Sequence, residues 1–357
     1  MMKRSTVFFL LLSCLSFSQQ KNVKISDLQP KSEDAVFPLV SYPQNPRIEN
    51  KINTFLQVSE LEYIPNSGGN PFKKASTATN SYTNYVYFYS WEKLDTPGNI
   101  LSIGIDGEAS GAYPEGFSEW MNFDLRTGNY INAEDLFQAG SVKTVDGLIQ
   151  RKIKKRVDDF LAELKSEKNP SEEAQEQIGM YEGCFMDYTL NGIKYFFGKD
   201  KITFVAGRCS NHAMRALDDL GSHELEFTYK ELEKYWSPYA KNLISGSEKV
   251  NGTSPANKLF KGKIDGKYSI TVLFNEINED DSFSATYWYD KNKQPINWRG
   301  EFVHDHFSIT EDDYHSEELK QWIPKALVEA DLKGNKIIGT WQDYKTKKYL
   351  NLELEEL

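Results

Sequence analysis

Two groups of side chains in this sequence have residue types and spacings that could support chemistry. The first is His304-Asp305-His306, which would place both imidazoles on one face of a strand because strand side chains alternate between faces. Asp312, Asp313 and His315 follow closely, and zinc binds these residue types. The segment is polar and has no diagnostic ligand spacing. The sequence therefore leaves metal binding by these histidines open, and we predict no metal site.

The second group is a set of four carboxylates, Asp106, Glu108, Glu115 and Glu119, around the turn Ser110-Gly111. Two facing carboxylates can hydrolyse a glycosidic bond, so glycoside hydrolysis is one hypothesis. Carboxylates mostly face solvent, however, and the sequence has no Gly-x-Ser-x-Gly elbow, phosphate-binding glycine loop or His-Glu-x-x-His motif. With five histidines in all, nucleophilic catalysis has few bases to draw on. We predict no catalytic residue and no cofactor.

Regular elements must position these side chains. Residues 83–91 alternate aromatics at period two, and residues 101–105 alternate aliphatics, so both segments predict strands. The clearest helix covers residues 144–165, where apolar side chains recur every three or four positions, and a shorter helix covers residues 46–60. The pattern predicts an α+β domain over residues 35–240, with one long helix packed on an antiparallel sheet.

The rest of the chain has a different pattern. Residues 241–257 are polar and rich in Ser, Gly and Asn, which predicts a linker. Residues 258–357 contain eight short strand-like segments with turns between them, which predicts an all-β meander, either a small barrel or a sandwich. Residues 316–322 interrupt this pattern and predict a short helix.

The N-terminus predicts export. A basic start precedes the apolar run of residues 7–12, and Ser16 and Ser18 fit the positions before a cleavage site, so residues 1–18 are predicted to be a signal peptide. The run is much shorter than the ~20 residues of a membrane-spanning helix. The segment ending at Cys14 also approximates a lipobox, and cleavage there would leave a lipid anchor. We predict a periplasmic or secreted protein, with an outer-membrane lipoprotein as the alternative.

Two cysteines, Cys184 and Cys209, remain if Cys14 leaves with the signal peptide. An exported protein with two cysteines allows one intramolecular disulfide, which would close a loop of about 26 residues and stabilise the fold by roughly 3 kcal/mol. Nothing resembles the Cys-x-x-Cys motif of redox proteins, so the predicted role is structural.

Composition limits the partners. The formal net charge is -10, which argues against nucleic acid and against electrostatic docking on an anionic membrane. A lipid on Cys14 is then the one predicted route to a membrane. The aromatic fraction of 13% suits β-rich structure.

Four short motifs occur in order in the first domain. They are Tyr42-Pro43-Gln44 with Lys51-Ile52-Asn53, the strand and turn of residues 102–114, the segment MNFDLRTGNYINAEDLF at residues 121–137, and FTYKEL at residues 227–232. Together they resemble the RsiV-type extracytoplasmic domain of unknown function (domain of unknown function 3298, DUF3298). That domain occurs in lysozyme-sensing anti-sigma factors and beside some peptidoglycan deacetylases.

The sequence also departs from this family. Tyr113 stands where the family has a histidine after the small residues, and a phenol with a pKa of ~10 could not take over a proton-transfer or metal role there. We recognise no membrane-spanning helix and no sigma-binding helix in the sequence, so an anti-sigma role is not implied.

The resemblance implies a non-catalytic recognition module for a wall-associated ligand, either a lysozyme-like protein or a cell-wall glycan. We place its contact surface on residues 107–120, with Tyr113, Phe117 and Trp120 as aromatic anchors. The net negative charge would assist an encounter with a basic lysozyme. Packing of these aromatics beneath a loop is an equal alternative. A hydrolase of envelope polysaccharide and a structural lipoprotein are the alternative functions.

Overall fold

The computed structural model describes residues 23–29, 35–73, 85–110, 114–184, 187–246, 248 and 250–357. Within them the fold is α+β, as predicted: sheets and helices come first, and a closed antiparallel β-barrel follows. The predicted signal peptide and Cys14 lie outside the described residues, as does Tyr113. Among the described residues, no helix combines the length and the apolar character that crossing a membrane requires.

Helix α1 (Pro46–Leu61) confirms the shorter predicted helix. It begins where the Asn45 side chain accepts a hydrogen bond from the backbone N–H of Ile48, and a proline occupies its first turn, where no intrahelical donor is lost. It ends at Glu62, whose φ of 49° lies in the left-handed region. One apolar face, which includes Ile52, is buried.

Helix α2 (Val142–Ser166) is the long predicted helix. Val145, Ile149, Ile153 and Val157 are buried, at spacings that place them on one face, and the charged residues between them face solvent. Three shorter helices accompany these two: α3 (Glu172–Glu182), α4 (Tyr229–Leu232) and α5 (Pro238–Ser245).

The sheet of the first region is divided, unlike the single sheet predicted. Its strands are β1 (Lys24–Asp27), β2 (Pro38–Ser41), β3 (Tyr85–Lys93), β4 (Ile100–Ser110), β5 (Pro114–Asp124), β6 (Lys194–Phe197), β7 (Lys201–Ala206) and β8 (His223–Thr228). Strands β3, β4 and β5 form one antiparallel sheet, β6, β7 and β8 form another, and β1 pairs with β2. Helix α1 shares an apolar cluster with the first three-stranded sheet and α2 with the second, because each helix needs its own apolar partner face.

The second region is a closed eight-stranded barrel in which each strand pairs with the next and the last pairs with the first. Its interior is filled by aromatic and aliphatic side chains, with Trp298, Phe274 and Phe307 fully buried. The strands are β9 (Leu259–Ile264), β10 (Tyr268–Ile277), β11 (Ser282–Tyr289), β12 (Ile296–Val303), β13 (His306–Ser316), β14 (Gln321–Lys333), β15 (Lys336–Asp343) and β16 (Tyr349–Glu356).

Two sequence-based assignments change. The short helix predicted at residues 316–322 is wrong: β13 and β14 pair up to Ser316 and Gln321, and the ring of His315 contacts that of Trp322 across them. Helix α5 also occupies the start of the predicted linker. Further along that segment, the backbone N–H of Thr253 donates to Asp135 of the first region at 2.9 Å.

The barrel packs against the first region. Leu259, Leu273 and Trp288 of the barrel belong to the same apolar cluster as helix α1. Beside this cluster, the buried ammonium of Lys51 donates to the carbonyl of Leu357 and lies 3.9 Å from the Glu356 carboxylate. This shared cluster joins the two regions. Their division into two domains stays a prediction.

Candidate functional site

The predicted contact surface lies on the hairpin formed by β4 and β5. Gly107 faces Phe117 across this hairpin, and a β-carbon at position 107 would lie 2.4 Å from Cζ of the Phe117 ring. Only glycine leaves room for this ring. The hairpin can therefore fold its aromatic side chain flat against its own backbone.

The structure separates the two predicted anchors that it describes. The ring of Phe117 lies 6.0 Å from that of Tyr89, against the apolar cluster of helix α1. Trp120 is three residues further along the strand, so it leaves from the opposite face and stacks on Phe196 at 5.3 Å. Tyr113 lies outside the described residues. Phe117 and Trp120 therefore do not form one aromatic ridge. Packing accounts for much of the contact that the Phe117 side chain makes.

Both anchors nevertheless border a cleft of about 1290 Å³. One wall is the β4–β5 hairpin. The other is formed by the loop before β6, by the end of β7 and by the loop that follows it. Sequence reasoning missed this second wall, because its residues are contributed by segments about 80 to 100 positions away along the chain. The lining residues include Trp120, Tyr188, Lys194, Arg208, His212 and Arg215.

Carboxylates and cations face each other along this cleft. Arg215 donates to Glu115 across it, and Lys194 Nζ lies 2.6 Å from a carboxylate oxygen of Glu119. All four of these side chains are about a third to a half exposed. Ion pairs exposed to this degree are worth about 0–1 kcal/mol, so a ligand could exchange for either partner at little cost.

Three of the four carboxylates considered for glycoside hydrolysis contact neighbouring side chains. Asp106 accepts a hydrogen bond from the Ser118 hydroxyl, and Glu115 and Glu119 have the cationic partners just described. A ligand could replace these exposed contacts at little cost, so the arrangement suits recognition.

The predicted disulfide is present between Cys184 and Cys209. Cys184 follows helix α3, and Cys209 lies in the loop after β7 that forms part of the cleft wall. The bond therefore fixes this wall to a helix, rather than tying two strands together. Sequence analysis did not predict α3, although Ser171 caps it and Glu172 and Glu173 occupy its first turn, where acidic side chains favour a helix.

The histidines of the barrel are dispersed. His304 and Asp305 have φ values of 50° and 62° and form the tight turn between β12 and β13, so the expectation that His304 and His306 share a strand face is wrong. His306 bonds to Asp331 and Glu329 at 2.8 and 2.9 Å, and these carboxylates raise its pKa. Among the described residues, no group of metal-ligand atoms includes His304, His306 or His315.

The chain is similar to proteins of known structure. No family model matches the sequence, and no curated protein matches it. A crystal structure of a member of the DUF3298 family from Bacteroides fragilis is similar with a TM-score of 0.40 and 15% identity, covering 62% of this chain and 94% of that chain. A DUF3298 family protein from Pseudomonas aeruginosa is similar with a TM-score of 0.39 and 11% identity, covering 63% of this chain and 94% of that chain.

The structural neighbours are thus members of the family of unknown function that the sequence motifs resemble, and here a β-barrel follows. The likeness does not extend to a ligand, an activity or a location.

Proposed function

We propose that the protein is a non-catalytic recognition module of the cell envelope and that its cleft binds a fragment of cell-wall glycan. The observation that carries the proposal is the composition of the cleft: aromatic side chains, hydrogen-bond acceptors and cations all line one concavity. Binding sites for small molecules combine apolar area with a few placed polar groups in this way.

Trp120, with Phe117 and Tyr188, supplies the apolar surface. Trp120 is already stacked on Phe196, so little side-chain freedom is lost when a sugar ring packs against it. Wall glycans also carry carboxylate, amide and hydroxyl groups. Lys194, Arg208 and Arg215 can bind the carboxylates, and Asp106 and Glu224 can accept from the hydroxyls.

Calorimetric titration of the predicted mature chain, residues 19–357, with soluble peptidoglycan fragments tests the proposal. We expect saturable binding that Trp120→Ala weakens about ten-fold or more, corresponding to roughly 1.4 kcal/mol or more. Trp322→Ala is the matched control, because Trp322 is 53% exposed on the barrel and away from the cleft. It should leave the affinity unchanged.

Three outcomes decide between the hypotheses. No heat with any fragment contradicts the glycan proposal. Equal losses in both tryptophan variants contradict the assignment to the cleft. Cleaved fragments, detected by mass spectrometry after the titration, would favour the polysaccharide hydrolase.

The net charge of -10 favours a lysozyme-like protein as a second candidate ligand, since such proteins are often basic. Here the attraction would be spread over the surface and would weaken steeply with salt. Titration with a c-type lysozyme at low and high ionic strength tests it. Binding that Trp120→Ala does not affect would place this contact outside the cleft.

A further inference from the structure

The disulfide lies beside a buried histidine. Among the described residues, Cys184, Cys209 and His223 form the one group of potential metal ligands, with their ligand atoms all within 4.8 Å of one another. Strand β8 begins at His223, and this residue pairs with Ala206 at the end of β7, close to where Cys209 follows. Three different segments therefore bring the ligands together.

His223 is completely buried beside the disulfide, and its Nδ1 has no hydrogen-bond partner. A contact made by Nε2 leaves Nδ1 unpartnered, which costs about 1–3 kcal/mol whether or not a metal is bound. A neutral imidazole is the form of histidine that binds metals.

The second ring nitrogen points toward sulfur. Nε2 of His223 lies 3.6 Å from Sγ of Cys209. In a tetrahedral zinc site, with Zn–S of about 2.3 Å and Zn–N of about 2.0–2.1 Å, the sulfur and nitrogen ligands are roughly 3.5–3.6 Å apart. The histidine and one sulfur already have the separation of two zinc ligands.

We propose that Cys184, Cys209 and His223 bind Zn²⁺ when the disulfide is reduced. A dithiol reductant transfers two electrons and two protons to the disulfide, giving two thiols, and is itself oxidised to a disulfide. Zinc binding then releases both thiol protons to solvent. The metal is held by two thiolates and by Nε2 of the neutral His223, and water takes the fourth position.

The two states exclude each other, because the sulfurs cannot be bonded to one another and ligate zinc as separate thiolates. Both cysteines are partly exposed, so reductant and metal can reach them. The proposal is independent of what the cleft binds. It predicts that the cleft wall is held by a disulfide under oxidising conditions and by zinc under reducing ones.

Cobalt is a spectroscopic probe for this site. The predicted mature chain, reduced with a phosphine and freed of excess reagent, is titrated with Co²⁺ under anaerobic conditions. We expect one equivalent to bind with the visible absorption of tetrahedral cobalt and a thiolate-to-cobalt charge-transfer band, and Zn²⁺ to displace it. The oxidised chain should show neither band.

Variants separate this site from adventitious binding. His223→Gln should weaken cobalt binding about 100-fold or more, whereas His315→Gln, an exposed change on β13 of the barrel, should not. Circular dichroism shows whether each variant is folded. Cys209→Ser gives an independent readout if His223→Gln does not fold, because it removes a sulfur and keeps the buried ring. A reduced, folded chain without the charge-transfer band, or equal binding by His223→Gln, would overturn the proposal.

Discussion

The barrel and the cleft both bring together tryptophan, tyrosine, a carboxylate and a cation, yet they use them in opposite ways. In the barrel these groups surround Glu311, which is completely buried. In the cleft the corresponding groups are partly exposed and line a large concavity. Residue types alone therefore do not distinguish a structural network from a binding surface. Burial does.

The barrel network is centred on the buried Glu311 carboxylate. One carboxylate oxygen of Glu311 accepts from the Tyr287 hydroxyl at 2.7 Å and from the Trp341 indole N–H at 3.1 Å, and the other lies 2.9 Å from Lys325 Nζ. Burial, and then the charge of Glu311, raises the pKa of Tyr287 far above its ordinary value, so its hydroxyl stays a donor. No lone pair is left exposed for a ligand, which makes this network part of the core.

Removing the barrel carboxylate should have the largest effect. Glu311→Ala leaves the buried Tyr287 and Trp341 donors unsatisfied, whereas Lys325 is 42% exposed and can turn to solvent. We expect the free energy of unfolding to fall by about 3–5 kcal/mol, because each buried donor without a partner costs about 1–3 kcal/mol and the lost side chain leaves a cavity. Denaturant unfolding followed by circular dichroism measures it.

The control for this change is Glu329→Ala on the neighbouring strand β14, whose carboxylate is 58% exposed beside His306. We expect a loss of less than about 1 kcal/mol there. If the two variants are equally stable, the contrast between buried and exposed carboxylates does not hold.

The disulfide sharpens the comparison, because the cleft region is cross-linked and the described barrel is closed by strand pairing instead. The double variant Cys184→Ser/Cys209→Ser should lose about 3 kcal/mol of stability, because the unfolded chain regains the conformational entropy that the cross-link removes. Hydrogen exchange shows which elements lose stability. Faster exchange is expected in α3 and β6–β8, and unchanged exchange in β9–β16.

Uniform acceleration over the whole chain would contradict a separate stability of the two regions. Reduction of the unmodified protein provides the control, since it breaks the same bond without changing a side chain. Zinc must be absent from that measurement.

What the sequence could predict follows from how local each feature is. Helix α2 and the strand count of the barrel depend on the spacing of neighbouring side chains, and both were recovered. The pairing of Cys184 with Cys209 needed only composition and compartment. Closure of the barrel depends on β16 meeting β9, a contact between distant segments that no local pattern encodes.

The candidate site was half predictable for the same reason. Residues 107–120 could be singled out as a candidate contact surface because they are neighbours along the chain. The opposite wall, with Arg208 and Arg215, comes from a loop whose position is set by the disulfide and by packing. The burial of Glu311 was equally hidden, because its partners lie on three other strands.

The junction between the two regions has a third arrangement. The buried ammonium of Lys51 has a carboxylate partner that it shares with a second lysine. Lys51 is 5% exposed and shares the Glu356 carboxylate with Lys258, which lies closer, at 3.3 Å. Burial lowers the pKa of Lys51 to about 8, and the Glu356 carboxylate opposes this shift only in part. The charge on Lys51 therefore costs stability below this pH.

This cost predicts a pH dependence of small size and definite sign. Between pH 8 and 10.5 the unfolded chain binds the Lys51 proton and the folded chain does not, so stability should rise with pH. From pH 7.5 to 9.5 the gain is at most about 2 kcal/mol, and the range stops there because unfolded tyrosines ionise near pH 10. Lys51→Met should remove this rise, whereas Lys241→Met, an exposed change on α5, should keep it. Parallel stability profiles for the unmodified protein and Lys51→Met would show that the ammonium is not desolvated, and that the junction behaves like the cleft rather than like the barrel.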